Sequence, residues 1–251
     1  MILNYVKSRY FHVLQLSGFL FQYFKSYNSV KLIPQNLGIL RITQSFSTVG
    51  FNEKVCWKCG AERKIAELFC DKCHVIQNPS EKENYFKLFQ IEEQFSIDEK
   101  LLRDKFRKIQ SVIHPDKFSN TTHEEQTISE EYSSLINKAH SNLQSPLKRA
   151  EHLLQLKGQT ISEGQTVDNP EFLLEVMSLN EEVEEAEGDI NKMKELNEKS
   201  KMRIENILQR IDDCFKNNDI ETAKNNIITL KYYCSISNRI NGSLRELGVS
   251  E

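Results

Sequence analysis

Beyond residue 80, apolar residues recur at intervals of three and four, and no stretch alternates persuasively with a period of two. That pattern predicts helices and no strand. Tyr85-Phe86-Lys87-Leu88-Phe89 reads as a brief apolar helix. From Asp98 to Ile113, stepping 100° per residue gathers Leu101, Leu102, Phe106, Ile109, Val112 and Ile113 into one broad apolar sector. Lys100, Arg103 and Arg107 fall on the other side. Ser96 is placed to cap this helix, with Glu99 completing a capping box. His114-Pro115-Asp116 ends it, because proline disfavours the α region for its predecessor. Thr122 and Glu125 form a second capping box, opening a helix that runs to about Leu143. Its Ile128, Tyr132, Leu135, Ile136, Ala139 and Leu143 share a sector and can pack antiparallel on the helix before it.

A linking helix follows over 146–157, with Pro146 in its first turn and Gly158 as its stop. A polar loop leads to Asn169-Pro170-Glu171, which supplies cap, proline and first-turn acid in the order that opens a helix. Two longer helices are expected at about 189–217 and 219–247, turning at Asn217-Asn218-Asp219. On the helix from Pro170, Phe172, Val176, Leu179, Val183 and Ala186 make one stripe wide enough for burial. Leu173, Leu174 and Met177 lie away from it, with Glu181, Glu184 and Glu185 in the same outer sector. On the last helix Ile220, Ala223, Ile227, Leu230 and Cys234 form the core stripe, and Tyr232 points nearly opposite. Apolar groups that a core does not need, bordered by carboxylates, have the composition of a binding patch. Cover by a third packed element, such as the linking helix, is the alternative. No internal repeat is evident, and the fold class is all-α with a small N-terminal appendage.

That appendage is Cys56-x2-Cys59-x10-Cys70-x2-Cys73, four of the six cysteines. Two CxxC turns can close a tetrahedron of thiolates around Zn²⁺. Gly60 permits the positive φ that such a turn uses, and Lys58, Arg63, Lys64 and Lys72 offset the charge. With four protein ligands and no open position, the zinc would be structural. Two disulfides or an iron–sulfur cluster are the alternatives. His74 is a bystander, and Cys214 and Cys234 read as small core residues.

Charge is distributed unevenly. Residues 1–52 contain Lys7, Arg9, Lys25, Lys31 and Arg41 and no acid, leaving 28 basic against 36 acidic groups in the remainder. An acidic body lacks the basic footprint that phosphates require, which argues against nucleic acid as a partner. The acid-free, serine-containing leader has the composition of a mitochondrial transit peptide, with a secretory signal as the rival. Its apolar run from Phe11 to Phe24 is shorter than the ~20 residues of a membrane span. The divisions expected are a targeting segment over 1–48, the zinc module over 53–78, a helical hairpin over 81–145, the linking helix and loop over 146–167, and a three-helix bundle over 168–251.

The basic ridge Lys100, Arg103, Arg107 runs into the rigid turn His114-Pro115-Asp116, a composite surface suited to an acidic partner. A His–Asp pair also suggests hydrolase chemistry, but neither a nucleophile nor a Gly-rich turn accompanies it, so no enzyme is expected. With Ile136-Asn137-Lys138-Ala139 further on, residues 83–143 resemble a J-domain throughout. His140 stands where many relatives have Tyr. The resemblance implies that His114, Pro115 and Asp116 stimulate ATP hydrolysis by a heat-shock protein 70 class chaperone.

Lys148-Arg149-Ala150-Glu151-His152-Leu153-Leu154 followed by Phe172-Leu173-Leu174-Glu175 makes the likeness specific. Residues 83–247 resemble the HscB (Jac-type) family of iron–sulfur co-chaperones, in the animal-type branch with an N-terminal four-cysteine module. The resemblance implies that the bundle holds an IscU-type iron–sulfur scaffold protein through Leu173, Leu174, Met177 and Tyr232, with Glu181, Glu185 and Lys231 as polar partners. Ser178 stands where bacterial relatives often place an acid, which weakens that rim contact. The implied place of work is the mitochondrial matrix. A cytosolic pool and a homodimer are left open.

Overall fold

The computed structural model describes residues 55–62, 67–162, 164–167 and 169–249. The targeting segment expected over 1–48 lies outside them. The described residues hold seven α-helices and no extended strand. These are α1 (Tyr85–Leu88), α2 (Glu99–Ile113), α3 (His123–Gln144), α4 (Pro146–Leu156), α5 (Pro170–Glu185), α6 (Ile190–Lys216) and α7 (Ile220–Glu246), with a 3₁₀ turn at Pro115–Phe118. None is long and apolar enough to cross a membrane.

Local chemistry sets most of the boundaries. Thr122 and Glu125 close the expected capping box on α3, and the Asn169 side chain accepts from the N–H groups of Glu171 and Phe172 at the start of α5. α2 departs from expectation. Its cap is Asp98, whose carboxylate accepts from Lys100 and Leu101 N–H at 2.9 and 3.0 Å. A carboxylate at the helix N-terminus also gains from the helix dipole, so it displaces Ser96 two residues earlier. At the far end of α4, Gly158 adopts φ 76°. The N–H groups of Gln159 and Gly158 bond back to Leu154 and Gln155, the arrangement that satisfies the last carbonyls of a helix.

α2 and α3 pack as an antiparallel hairpin through Leu102, Ile113, Ile128, Tyr132, Ile136, Ala139 and Leu143, all buried. Leu101 and Val112 do not join them and are 45% and 37% exposed. The buried sector of α2 is narrower than expected, because its flank toward α3 is filled by Gln110 instead. That side chain donates to Asn137 Oδ1 and Ser133 O and accepts from Ser133 Oγ. α5, α6 and α7 form the bundle around Val176, Leu179, Val183, Met193, Leu196, Ile207, Ile211, Ile227 and Ile240. One continuous core joins hairpin, α4 and bundle. Ile76, beside the cysteine turns, is part of it.

Candidate functional site

The His114 turn is built by its neighbours. Ser129 Oγ donates to the Ile113 carbonyl at 2.7 Å, holding the end of α2 against α3. Phe118 is buried beneath the turn. Proline fixes φ within the turn, and His114 Nδ1 accepts from the Asp116 N–H at 3.3 Å and lies 3.3 Å from its carboxylate. His114 and Asp116 remain exposed and Pro115 half-buried. Lys100, Arg103 and Arg107 are exposed on α2, and no carboxylate pairs with them among the described residues. The basic ridge and the turn, which carries the exposed Asp116 carboxylate, are therefore both accessible. His140 stacks on Phe106 at 4.1 Å and meets Phe89 edge-on. The imidazole thus takes up an aromatic's packing role. Burial, and then Arg103, lower its pKa, which favours the neutral ring.

The four cysteines come together as the spacing predicts. Cys56, Cys59, Cys70 and Cys73 place their sulfurs within 4.8 Å of one another. Cys56–Cys73 and Cys59–Cys70 are 3.6 and 3.7 Å apart. A tetrahedral zinc with Zn–S of ~2.3 Å needs S–S edges of about 3.8 Å, whereas a disulfide needs ~2.05 Å, so the donor set fits the ion. Two backbone turns repeat at an offset of fourteen residues, a periodicity absent from the sequence expectation. Cys56 N–H bonds to Ala61 O and Cys70 N–H to Val75 O, while Gly60 and His74 donate to Cys56 O and Cys70 O. His74 stands where the first turn has Gly60, and both have positive φ. Burial opposes the Cys56 thiolate, but N–H donors from Cys59 and Lys58 and the neighbouring thiols outweigh it and bring its pKa down to about 6. Burial and the adjacent sulfurs push Cys73 up to about 12. A divalent cation is what would let all four ionise together. Lys58 and Lys72 are exposed close by; Arg63 and Lys64 lie outside the described residues.

The third surface is on α5 and α7. Leu173, Leu174 and Met177 are 37%, 65% and 42% exposed, while Val176, Leu179 and Val183 on the opposite face are buried. Among the described residues no third element covers the outer face. Glu181 and Glu185 are exposed beside it. Tyr232 is half-buried instead of pointing clear, because Phe172 meets its ring edge-on at 5.5 Å. Lys231 is engaged within the molecule, its Nζ 2.5 Å from Glu151 Oε1 on α4. Glu175 pairs with Arg203 at 3.3 Å. Burial first, and then a hydrogen bond with Glu175, push the Tyr233 pKa up to about 12. Sequence reasoning missed these supporting pairs, since their members lie on different helices.

Residues 168–241 match the family model described as the HSCB C-terminal oligomerisation domain. The mouse iron–sulfur cluster co-chaperone protein HscB is 31% identical over 74% of this chain and 80% of its own length. The human protein is 31% identical over 77% of this chain and 84% of its own. The chain belongs to the HscB family of iron–sulfur cluster co-chaperones. The crystal structure of human HscB superposes with a TM-score of 0.72 at 30% identity, over 78% of this chain and all of that one. HscB from Vibrio cholerae matches with a TM-score of 0.61 at 29% identity, over 65% of this chain and 99% of that one. The helical fold of the described residues thus matches that of solved HscB structures, and it is the class expected from the periodicity.

Proposed function

We propose that this chain is a mitochondrial J-type co-chaperone of iron–sulfur cluster biogenesis that brings two partners together and catalyses nothing itself. An IscU-type scaffold protein docks on Leu173, Leu174, Met177 and Tyr232, with Glu181 and Glu185 at the rim. A heat-shock protein 70 class chaperone docks on Lys100, Arg103 and Arg107, and His114-Pro115-Asp116 stimulates its ATPase. The observation that carries the reading is the outer face of α5. Leu173, Leu174 and Met177 keep 37%, 65% and 42% of their surface exposed there, although the helix already fills the core with its other face. Such a face is covered by a partner in the working state.

Lys231 enters this interface on different terms. Its ammonium is already neutralised by Glu151, so a scaffold carboxylate must compete for it. The cysteine module holds a structural Zn²⁺, for which the sulfur spacing is the support. The acid-free leader supports import into the matrix. The description of the matched C-terminal model as an oligomerisation domain supports a homodimer, which sedimentation of the mature chain would decide.

The test uses full-length protein. Replacing Leu173, Leu174 and Met177 together by alanine should abolish capture of the scaffold while circular dichroism stays unchanged. His114→Gln should keep scaffold capture yet lose stimulation of the chaperone in a steady-state ATPase assay. Equal binding of the native chain to assorted unfolded peptides would replace this reading with that of a general J-protein.

A further inference from the structure

Gln77 lies beyond Cys73 and outside both CxxC turns, yet its side chain returns to the first of them. Its backbone N–H donates to the Leu68 carbonyl at 2.9 Å, and the residue is 1% exposed. Nε2 stands 3.3 Å from Cys56 Sγ, 3.0 Å from the Val75 carbonyl oxygen and 3.2 Å from that of Ile76. Oε1 is buried and meets no donor among the described residues.

Chemistry fixes the direction of this amide. The three groups around Nε2 are all acceptors, so turning the amide over would set its oxygen against two carbonyls and a sulfur. An amide whose own oxygen lacks a partner is a poor filler for a closed space, and an apolar side chain would fill it at lower cost. What an apolar side chain could not do is donate to the sulfur. Cys56 is 2% exposed, so its thiolate must take hydrogen bonds from the protein instead of from water. The Lys58 N–H supplies one donor at 3.4 Å, and Gln77 supplies another. Cys59 is exposed and has solvent for that purpose. Donors behind the ligands orient them and tune the bound ion.

We propose that Gln77 is a positioning residue of the metal site, its amide holding the buried Cys56 thiolate ready to coordinate. The inference rests on the reading of the four cysteines as a zinc site, and Gln77 is not itself a ligand.

The experiment compares full-length wild type, Gln77→Met, Gln77→Glu and Trp57→Phe, each loaded with Zn²⁺ or Co²⁺. Methionine keeps the length of the side chain and loses the donor, whereas glutamate sets an acceptor against the sulfur. Competition with a chromophoric chelator should show Zn²⁺ held about 10- to 100-fold more weakly by Gln77→Met, and more weakly still by Gln77→Glu. The sulfur-to-cobalt charge-transfer band of Gln77→Met should move to longer wavelength, because a thiolate without its N–H donor gives up an electron more easily. Trp57→Phe removes the indole donor to the Ile76 carbonyl and should leave that band in place. Wild-type zinc affinity or an unmoved band in Gln77→Met would overturn the proposal. So would an equal shift in Trp57→Phe, which would make the effect one of packing. If Gln77→Met does not fold, wild type loaded with NMR-active cadmium decides the matter. Scalar coupling between the metal and the Gln77 side-chain amide is expected there, and its absence would overturn the assignment. A wild type that takes up none of these ions would refute the zinc reading, which no Gln77 variant can do, and the role of Gln77 with it.

Discussion

Leu174→Ala and Leu179→Ala remove the same atoms from the same helix and should have opposite consequences. Leu174 is 65% exposed and Leu179 is 7% exposed. Complete burial of a leucine side chain is worth about 1.5–3 kcal/mol. If the scaffold covers what Leu174 shows to water, about two-thirds of that, or about 1–2 kcal/mol, is gained on binding. Truncation should therefore raise Kd by roughly 5- to 30-fold. Folding should change little, since little burial is lost and alanine is the better helix former. Leu179→Ala instead empties a closed site between α5 and its neighbours and should cost about 2–5 kcal/mol of stability. The pair is read by isothermal titration with the scaffold and by urea unfolding of the free protein. If Leu174→Ala lowers the unfolding midpoint as far as Leu179→Ala does, or leaves the scaffold affinity untouched, the docking face is wrongly assigned.

Further outcomes follow from the metal turns and the buried rings. Purified chain should carry about one zinc by elemental analysis, and Cys70→Ser should reduce that content and lower the melting temperature. An iron-dependent visible absorbance in its place would contradict structural zinc. His152 and His140 both have folded pKa values below 6.5 because burial disfavours their charged forms. Above pH 6.5 neither folded nor unfolded chain binds these protons. Below it the unfolded chain takes them up first, so stability is full above pH 6.5 and declines as the pH falls. Melting at pH 7.5 and 5.5 should show that decline in wild type and a smaller one in a His152→Gln/His140→Phe chain. Equal slopes would exclude these rings as its source. At pH 7.5, His152→Ala should cost about 1–3 kcal/mol by leaving the buried Tyr85 N–H without an acceptor.

The helices were legible in the sequence because the groups that end them are local. Thr122 with Glu125 and Asn169 with Pro170 act within one turn. The cysteine site was legible for the same reason, since each CxxC is its own turn and only two had to meet. Where two local signals competed, as Ser96 and Asp98 do, spacing could not rank them and the stronger acceptor prevailed. Leu101 and Val112 were misplaced because a helical wheel gives a face its direction but not its width. That width depends on how the partner helix fills the flank, here with Ser133 and Asn137. The clasps of α4 were illegible altogether. His152 finds its donor 67 residues away, and no periodicity within α4 points to Tyr85. The exposed leucines of α5 were readable as surplus, yet only the absence of a covering helix in the described residues turns surplus into surface.

Ile76 gives the cysteine turns a meaning beyond metal. It has no exposed surface and belongs to the main core, and its carbonyl accepts the Trp57 indole N–H at 2.7 Å. The turns close a small cluster of their own around Cys56, Cys70 and Val75, and Ile76 and Trp57 fasten that cluster to the helical body. Trimming the chain back to residue 80 would not yield a leaner co-chaperone but a body with an open side where Ile76 now sits.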